Sequence, residues 1–93
     1  MKIQKIMFYI YILESTKNKN LYIGYTNNLR KRIREHNQGL NKSTKPYIPW
    51  KLIYYEACLN KEDAERRENY LKTSQGQRLT KRRLKEYFYN YNN

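Results

Sequence analysis

Apolar residues along this chain cluster in short dense runs separated by polar stretches, and the spacing within each run sets the element it predicts. Residues 7 to 13, from Met7 to Leu13, are rich in β-branched and aromatic types and read as a buried strand. The polar segment Ser15 to Asn20 is a turn, and Leu21-Tyr22-Ile23 resumes the strand character, so the two runs form a hairpin with a longer loop. Gly24 closes the second strand. The period then changes: Leu29 and Ile33 mark a helical stripe, Thr26 or Asn27 can cap a helix opening at about Asn28, and Gly39 is a suitable stop.

From Leu40 to Pro49 the chain is polar, carries two prolines and reads as a loop or irregular arm. Leu52 to Ala57 predicts a third strand. Asn60 caps a helix over about 61–72, with acids in its first turn that suit the macrodipole. Residues 73–77 break it, a basic helix follows from about Arg78 to Tyr89, and residues 90–93 fray. There are no internal repeats. The order strand, strand, helix, strand, helix, helix predicts an α+β fold: a short, mainly antiparallel three-stranded sheet flanked by helices.

Length adds that 93 residues make one small domain, expected to span 1–93 with its core at about 8–85. The hydrophobic fraction is 39%, and its 11 tyrosines can build a core while their hydroxyls reach the surface. Charge changes the picture more. Lys and Arg number 20 against 8 acids, a net +12 that favours a polyanionic partner, nucleic acid above all. Cys58 and His36 are each the only residue of their type, which excludes a disulfide framework within the chain and a zinc site of Cys and His ligands. Cys58 is expected to be a small, mostly buried apolar residue. The apolar run ending at Leu13 is too short for a membrane span, so the expected setting is a reducing, cytoplasmic one.

Candidate chemistry lies where residue type and face disagree. Leu29, Arg32, Ile33 and His36 share one helical face, and packing does not ask for an arginine and a histidine beside a buried stripe, although both can snorkel to solvent. Glu68 stands between Ala64 and Leu71 on the inward face of the second predicted helix, where a carboxylate needs an arginine or a metal ion. On the first strand Tyr9 and Tyr11 point one way, and Phe8, Ile10 and Ile12 the other. Tyr54, Tyr55, Tyr87, Tyr89 and Tyr91 are expected to serve packing, whereas Tyr11 and Tyr22 sit beside Arg32 and His36 in the predicted hairpin–helix unit. Arg78, Lys81, Arg82, Arg83 and Lys85, with Lys42, Lys45 and Lys51, offer a phosphate-tracking surface without base specificity.

This ordered set resembles the GIY-YIG nuclease superfamily, in particular its small stand-alone members, which are similar to the N-terminal domain of the excision-repair excinuclease. The first motif stands as Tyr9-Ile10-Tyr11 and the second as Tyr22-Ile23-Gly24. Arg32, His36 and Glu68 match the family's arginine, its following His or Tyr, and its helical glutamate. Tyr9 replaces the name-giving glycine, and Tyr25 stands where several family nucleases carry a lysine, a role open to Lys31 or Lys72.

The resemblance implies a metal-dependent DNA endonuclease, with DNA repair as its setting. Tyr22 would be the general base assisted by Tyr11, Arg32 would hold the scissile phosphate, and His36 would position the phosphate or share in proton transfer. Glu68 would ligate one Mg²⁺ or Mn²⁺. Gly24, Tyr25, Asn27, Lys31, Lys72, Arg78, Lys81 and Arg82 are the expected nucleic-acid contacts. A partner protein could supply specificity, and monomer and oligomer are both left open. Two other readings compete: a non-catalytic nucleic-acid-binding module with a nuclease-like fold, and a basic protein-interaction adaptor. Metal dependence separates the first two readings, and the salt dependence of nucleic-acid affinity sets the third apart.

Overall fold

A computed structural model describes residues 6–91. Three strands, β1 (Phe8–Ser15), β2 (Leu21–Thr26) and β3 (Trp50–Cys58), form an antiparallel sheet in the order β2-β1-β3. Around it lie α1 (Leu29–Asn37), α2 (Lys61–Leu71), α3 (Ser74–Arg83) and α4 (Lys85–Tyr91), with a 3₁₀ turn at Lys45–Tyr47. The α+β class read from the sequence is the one observed.

Strand β1 is central, and its alternation divides the core. Ile10 faces Ala64 and Leu71 of α2, with Phe8, Ile23, Tyr25, Cys58 and Leu79 around them. Tyr11 and Leu13 face the other way, towards Trp50, Tyr22, Leu29, Ile33, Ile48 and Leu52. Successive residues of a strand point to opposite faces, so one eight-residue strand serves both layers. In the register, Tyr11 lies opposite Gly24 and Leu13 opposite Tyr22, which sets both tyrosines on the α1 face.

Several boundaries differ from expectation. Pairing with β1 carries β2 through Gly24 to Thr26, so the glycine does not end the strand. Asn28 is the cap of α1, its side chain accepting from the Lys31 amide, in place of Thr26 or Asn27. Residues 73–77 do not break the helical run into a loop, because the Thr73 hydroxyl caps a new helix by accepting from the Gly76 amide at 3.1 Å. The single basic helix is in fact two, with Leu84 leaving helical geometry between α3 and α4. Of the tail expected to fray, Asn90 and Tyr91 belong to α4, while residues 92–93 lie outside the described residues.

Polar residues tie the layers together. Glu56 of β3 accepts both fork nitrogens of Arg67 at 2.9 Å and the Tyr54 hydroxyl at 2.8 Å. Arg83 of α3 donates to that same hydroxyl, so it is a structural cation and not a free one. The Asn37 side chain exchanges two hydrogen bonds with the Trp50 backbone, fixing the end of α1 to the start of β3. Buried Glu14 accepts from the Tyr87 hydroxyl and anchors α4. One expectation of packing fails, since Tyr55 and Tyr89 are 52% and 67% exposed, whereas Cys58 packs partly buried against the α2-side core as expected. Among the described residues no helix is long and apolar enough to cross a membrane.

Candidate active site

The site grows from a glycine. A Cβ on Gly24 would fall on the Tyr11 hydroxyl and ring carbons, so only glycine lets the β1 tyrosine lie across β2. Tyr11 is thereby buried, with its hydroxyl directed at α1, where it meets His36 Nε2 at 2.9 Å. His36 is fully buried, and its Nδ1 lies 2.8 Å from the Thr44 hydroxyl. Thr44 in turn has the Asn41 carbonyl as an acceptor at 3.4 Å. The directions are then consistent along the chain: Thr44 donates to Asn41, His36 Nδ1–H donates to Thr44, and Tyr11 donates to Nε2.

Electrostatics agree with that assignment. Burial, reinforced by the Arg32 charge, holds the His36 imidazole below its ordinary pKa, which keeps it neutral and able to accept. Burial pushes the Tyr11 phenol up to about 12 in spite of the Arg32 guanidinium beside it, so Tyr11 is protonated at neutral pH. Tyr11 is therefore a fixed donor. The expectation that His36 touches the phosphate gives way here, because both its ring nitrogens are engaged inside the protein and none of the side chain reaches solvent.

Tyr22 has the opposite character. Its ring is held edge-on by His36 at 5.0 Å and Trp50 at 6.2 Å, and lies 6.3 Å from the Tyr11 ring. Among the described residues none hydrogen-bonds its hydroxyl, which is thus free for water or substrate. Arg32, half-buried, is steered by Glu35 at 3.2 Å and by the Tyr25 carbonyl at 3.4 Å. With Thr26, Asn27, Asn28, Lys31 and Glu35 it lines a small polar hollow at the start of α1. A guanidinium and a lysine around one concavity suit a phosphate, with Glu35 turned to the guanidinium as its ion-pair partner.

Glu68 projects from α2, four-fifths buried, with one carboxylate oxygen 2.9 Å from Lys72 Nζ. Its charge is felt at Tyr11, where it raises the phenol. Among the described residues no three acids, histidines or cysteines gather to cage a metal ion. A single carboxylate fits a hard divalent cation that keeps its waters and takes phosphate oxygens, and does not fit a site made wholly of protein ligands.

The other expected contacts divide between the two faces. Asn27 and Lys31 lie with Arg32, whereas Lys72, Arg78, Lys81 and Arg82 lie on the α2–α3 side. Lys81 lines a separate hollow with Lys19, Leu21 and Ile23 against the β2 edge. Two expected contacts are instead structural: Gly24 is the floor under Tyr11, and the Tyr25 ring stacks on Phe8 in the α2-side core. Sequence reading missed Glu35 and Thr44. The first was open to an i,i+3 argument from Arg32. The second had no signal, since nothing marks one polar residue of a polar loop as the partner of a histidine eight positions earlier.

A short antiparallel sheet that carries two tyrosines beneath an arginine-bearing helix, with a glutamate from the helix on its other face, defines the class as a small α+β domain of the GIY-YIG type. The model of the GIY-YIG catalytic domain matches residues 7–83, and the chain belongs to that family. Members of the family are generally endonucleases that bind nucleic acid and typically use divalent metals. The UPF0213 protein of Clostridium perfringens is 49% identical over 67 residues, 71% of each chain. That of Staphylococcus haemolyticus is 42% identical over 74 residues, covering 78% of this chain and 89% of its own. No solved structure matches the chain significantly.

Proposed function

We propose that this protein is a metal-dependent DNA endonuclease that hydrolyses one phosphodiester bond per event at the Tyr22–Arg32–Glu68 site. The observation that carries the reading is the contrast between two neighbouring phenols: Tyr11 is buried and fixed as a donor, while Tyr22 is held by ring contacts with its hydroxyl unclaimed. A structural pair would have no need of that division.

Arg32 holds the scissile phosphate with its free guanidinium donors, and Lys31 adds charge at the rim of the same hollow. Tyr22 first gives its own phenolic proton to solvent, and the resulting phenolate oxygen takes a proton from the attacking water. That water's oxygen bonds to phosphorus as the ester P–O bond opposite breaks, and the departing strand end leaves as an alcohol after gaining a proton from solvent. Tyr11 and His36 are positioning residues, since they set the ring geometry behind Tyr22 without reaching substrate. Glu68 would hold one Mg²⁺ or Mn²⁺, which when bound supplies positive charge to the phosphoryl oxygens and the leaving oxygen.

The test is cleavage of labelled single-stranded, duplex and forked DNA with Mg²⁺ or Mn²⁺, against EDTA and Glu68→Ala. The expected result is metal-dependent product that falls at least about a hundredfold in the variant, while DNA affinity stays near wild type or rises slightly as Lys72 is released. Normal cleavage by Glu68→Ala would sink the metal assignment. One observation favours the binding-module reading: Lys72 already occupies one oxygen of Glu68. If that pair excludes the metal, tight binding without any product is the outcome, in the variant and the wild type alike.

A further inference from the structure

A second hollow adjoins the phosphate site and has no part in the chemistry above. Tyr9, Leu29, Ile33, Leu52 and Tyr55 form its walls, and Asn27, Asn28 and Arg30 its rim. Tyr55 is half-exposed at a sheet position whose cross-strand partner, Tyr11, is fully buried. Among the described residues its one ring contact is with Tyr9, centroids 6.0 Å apart at 62°, and the half-exposed ring lines the hollow. A large exposed aromatic that does so little for the core calls for another role.

The shape and lining limit what fits. A half-exposed aromatic ring takes a planar, partly apolar group. Amides at one edge take the polar periphery of that group. Asn28 spends its side-chain oxygen on the Lys31 amide, which leaves its NH₂ to donate outward. Asn27 is exposed and has no side-chain partner among the described residues. Both asparagines also line the Arg32–Lys31 hollow, so the two concavities share a wall. A planar heterocycle in one and a phosphate in the other is the outline of one nucleotide.

We propose that the Tyr9–Tyr55 hollow is a nucleobase subsite, in which an unpaired base of the nucleic-acid strand stacks on Tyr55 while its phosphate occupies the Arg32–Lys31 hollow. The assignment rests on the nucleic-acid reading of the preceding section and deepens it. A base within a duplex is stacked and paired, so its face is not available to Tyr55. The preferred substrate is therefore single-stranded DNA or an unpaired stretch of a larger structure. Stacking on an aromatic side chain is tolerant of base identity, so the subsite confers strand-state selectivity and not sequence selectivity.

Binding without cleavage provides the test. Affinities of the full chain are measured in EDTA by fluorescence anisotropy, using an oligothymidylate, the same strand annealed to its complement, and a fully abasic strand of equal length. Wild type should bind the oligothymidylate roughly tenfold more tightly than the abasic strand. Tyr55→Ala should lose about that factor on the oligothymidylate and nothing on the abasic strand or the duplex, while Tyr55→Trp should restore it. Because Tyr55 is half-exposed, these variants should melt as wild type does. Equal losses on all three ligands, or none on any, would overturn the subsite. No metal and no bond breaking enter, so the two readings fail separately. A Tyr55-dependent preference for the oligothymidylate without cleavage counts against the nuclease alone, and cleavage without that preference against the subsite alone. Wild type that binds no strand overturns both.

Discussion

Gly24 and His36 show what a single residue settles in this protein. The glycine looks in sequence like a strand terminator, yet its missing side chain is the space in which the Tyr11 ring lies. The histidine looks like a substrate contact, yet it is the buried middle of a chain from Tyr11 to Thr44. Both could be singled out from spacing alone, but their roles could not, because each depends on a partner far away in sequence: Tyr11 is 25 positions from His36. Burial of His36 has a consequence for stability. Its folded-state pKa lies below the ordinary value of about 6.5. The unfolded chain therefore binds more protons in this range, and stability rises with pH there. The contribution is complete above about pH 6.5 and is lost as the pH falls below it towards the folded value. Melting temperature should thus drop between about pH 7 and 5, and the drop should be shallower in His36→Gln, which cannot titrate. Parallel curves for the two proteins would show that His36 does not govern the acid limb.

The elements themselves were easier to read than the joints between them. Strand composition, the hairpin, the Asn60 cap and the acidic first turn of α2 are local signals, and local physics governs them. The α2–α3 junction is different. Thr73-Ser74-Gln75-Gly76 has the composition of a loop, and a glycine inside a helix costs about 1 kcal/mol relative to alanine. That cost is accepted because α3 crosses the end of α2 so closely that any Cβ at 76 would meet the Tyr70 carbonyl and the Leu71 backbone. Backbone atoms cannot swing aside as a side-chain tip can. The two terms oppose each other in Gly76→Ala, with propensity favouring the variant and overpacking costing about 1–3 kcal/mol or more. The clash should win, giving a lower urea midpoint, a net loss of at least about 1 kcal/mol and weaker protection of α3 amides from exchange. Stabilisation by the alanine would mean that the helices separate at little cost.

At the scale of the whole molecule, charge was legible in full and its arrangement only in part. The excess of 12 positive charges points to a polyanion whatever the fold. Where the charges fall depends on the strand order β2-β1-β3, which is a matter of long-range pairing that composition does not encode. Some cations turn out to be committed: Arg67 to Glu56, Arg66 to Asp63, Lys72 to Glu68, and Arg83 to Tyr54. The Arg32–Lys31 hollow lies by β2's last residue, whereas Lys17 sits in the turn at the opposite end of the hairpin, donating to the Pro46 carbonyl. Counterion release makes the logarithm of affinity fall linearly with the logarithm of salt concentration, by about 0.7 per phosphate contact on a single strand and about 0.9 on a duplex. Lys31→Ala should therefore lower the slope by roughly one contact on any sequence, and Lys17→Ala should leave it unchanged. Titration of both variants in EDTA over a salt series measures this directly. An unchanged slope in Lys31→Ala would remove the hollow from the nucleic-acid interface. A flat response in the wild type would favour the protein adaptor instead, since the affinity of such a protein for nucleic acid owes nothing to released counterions.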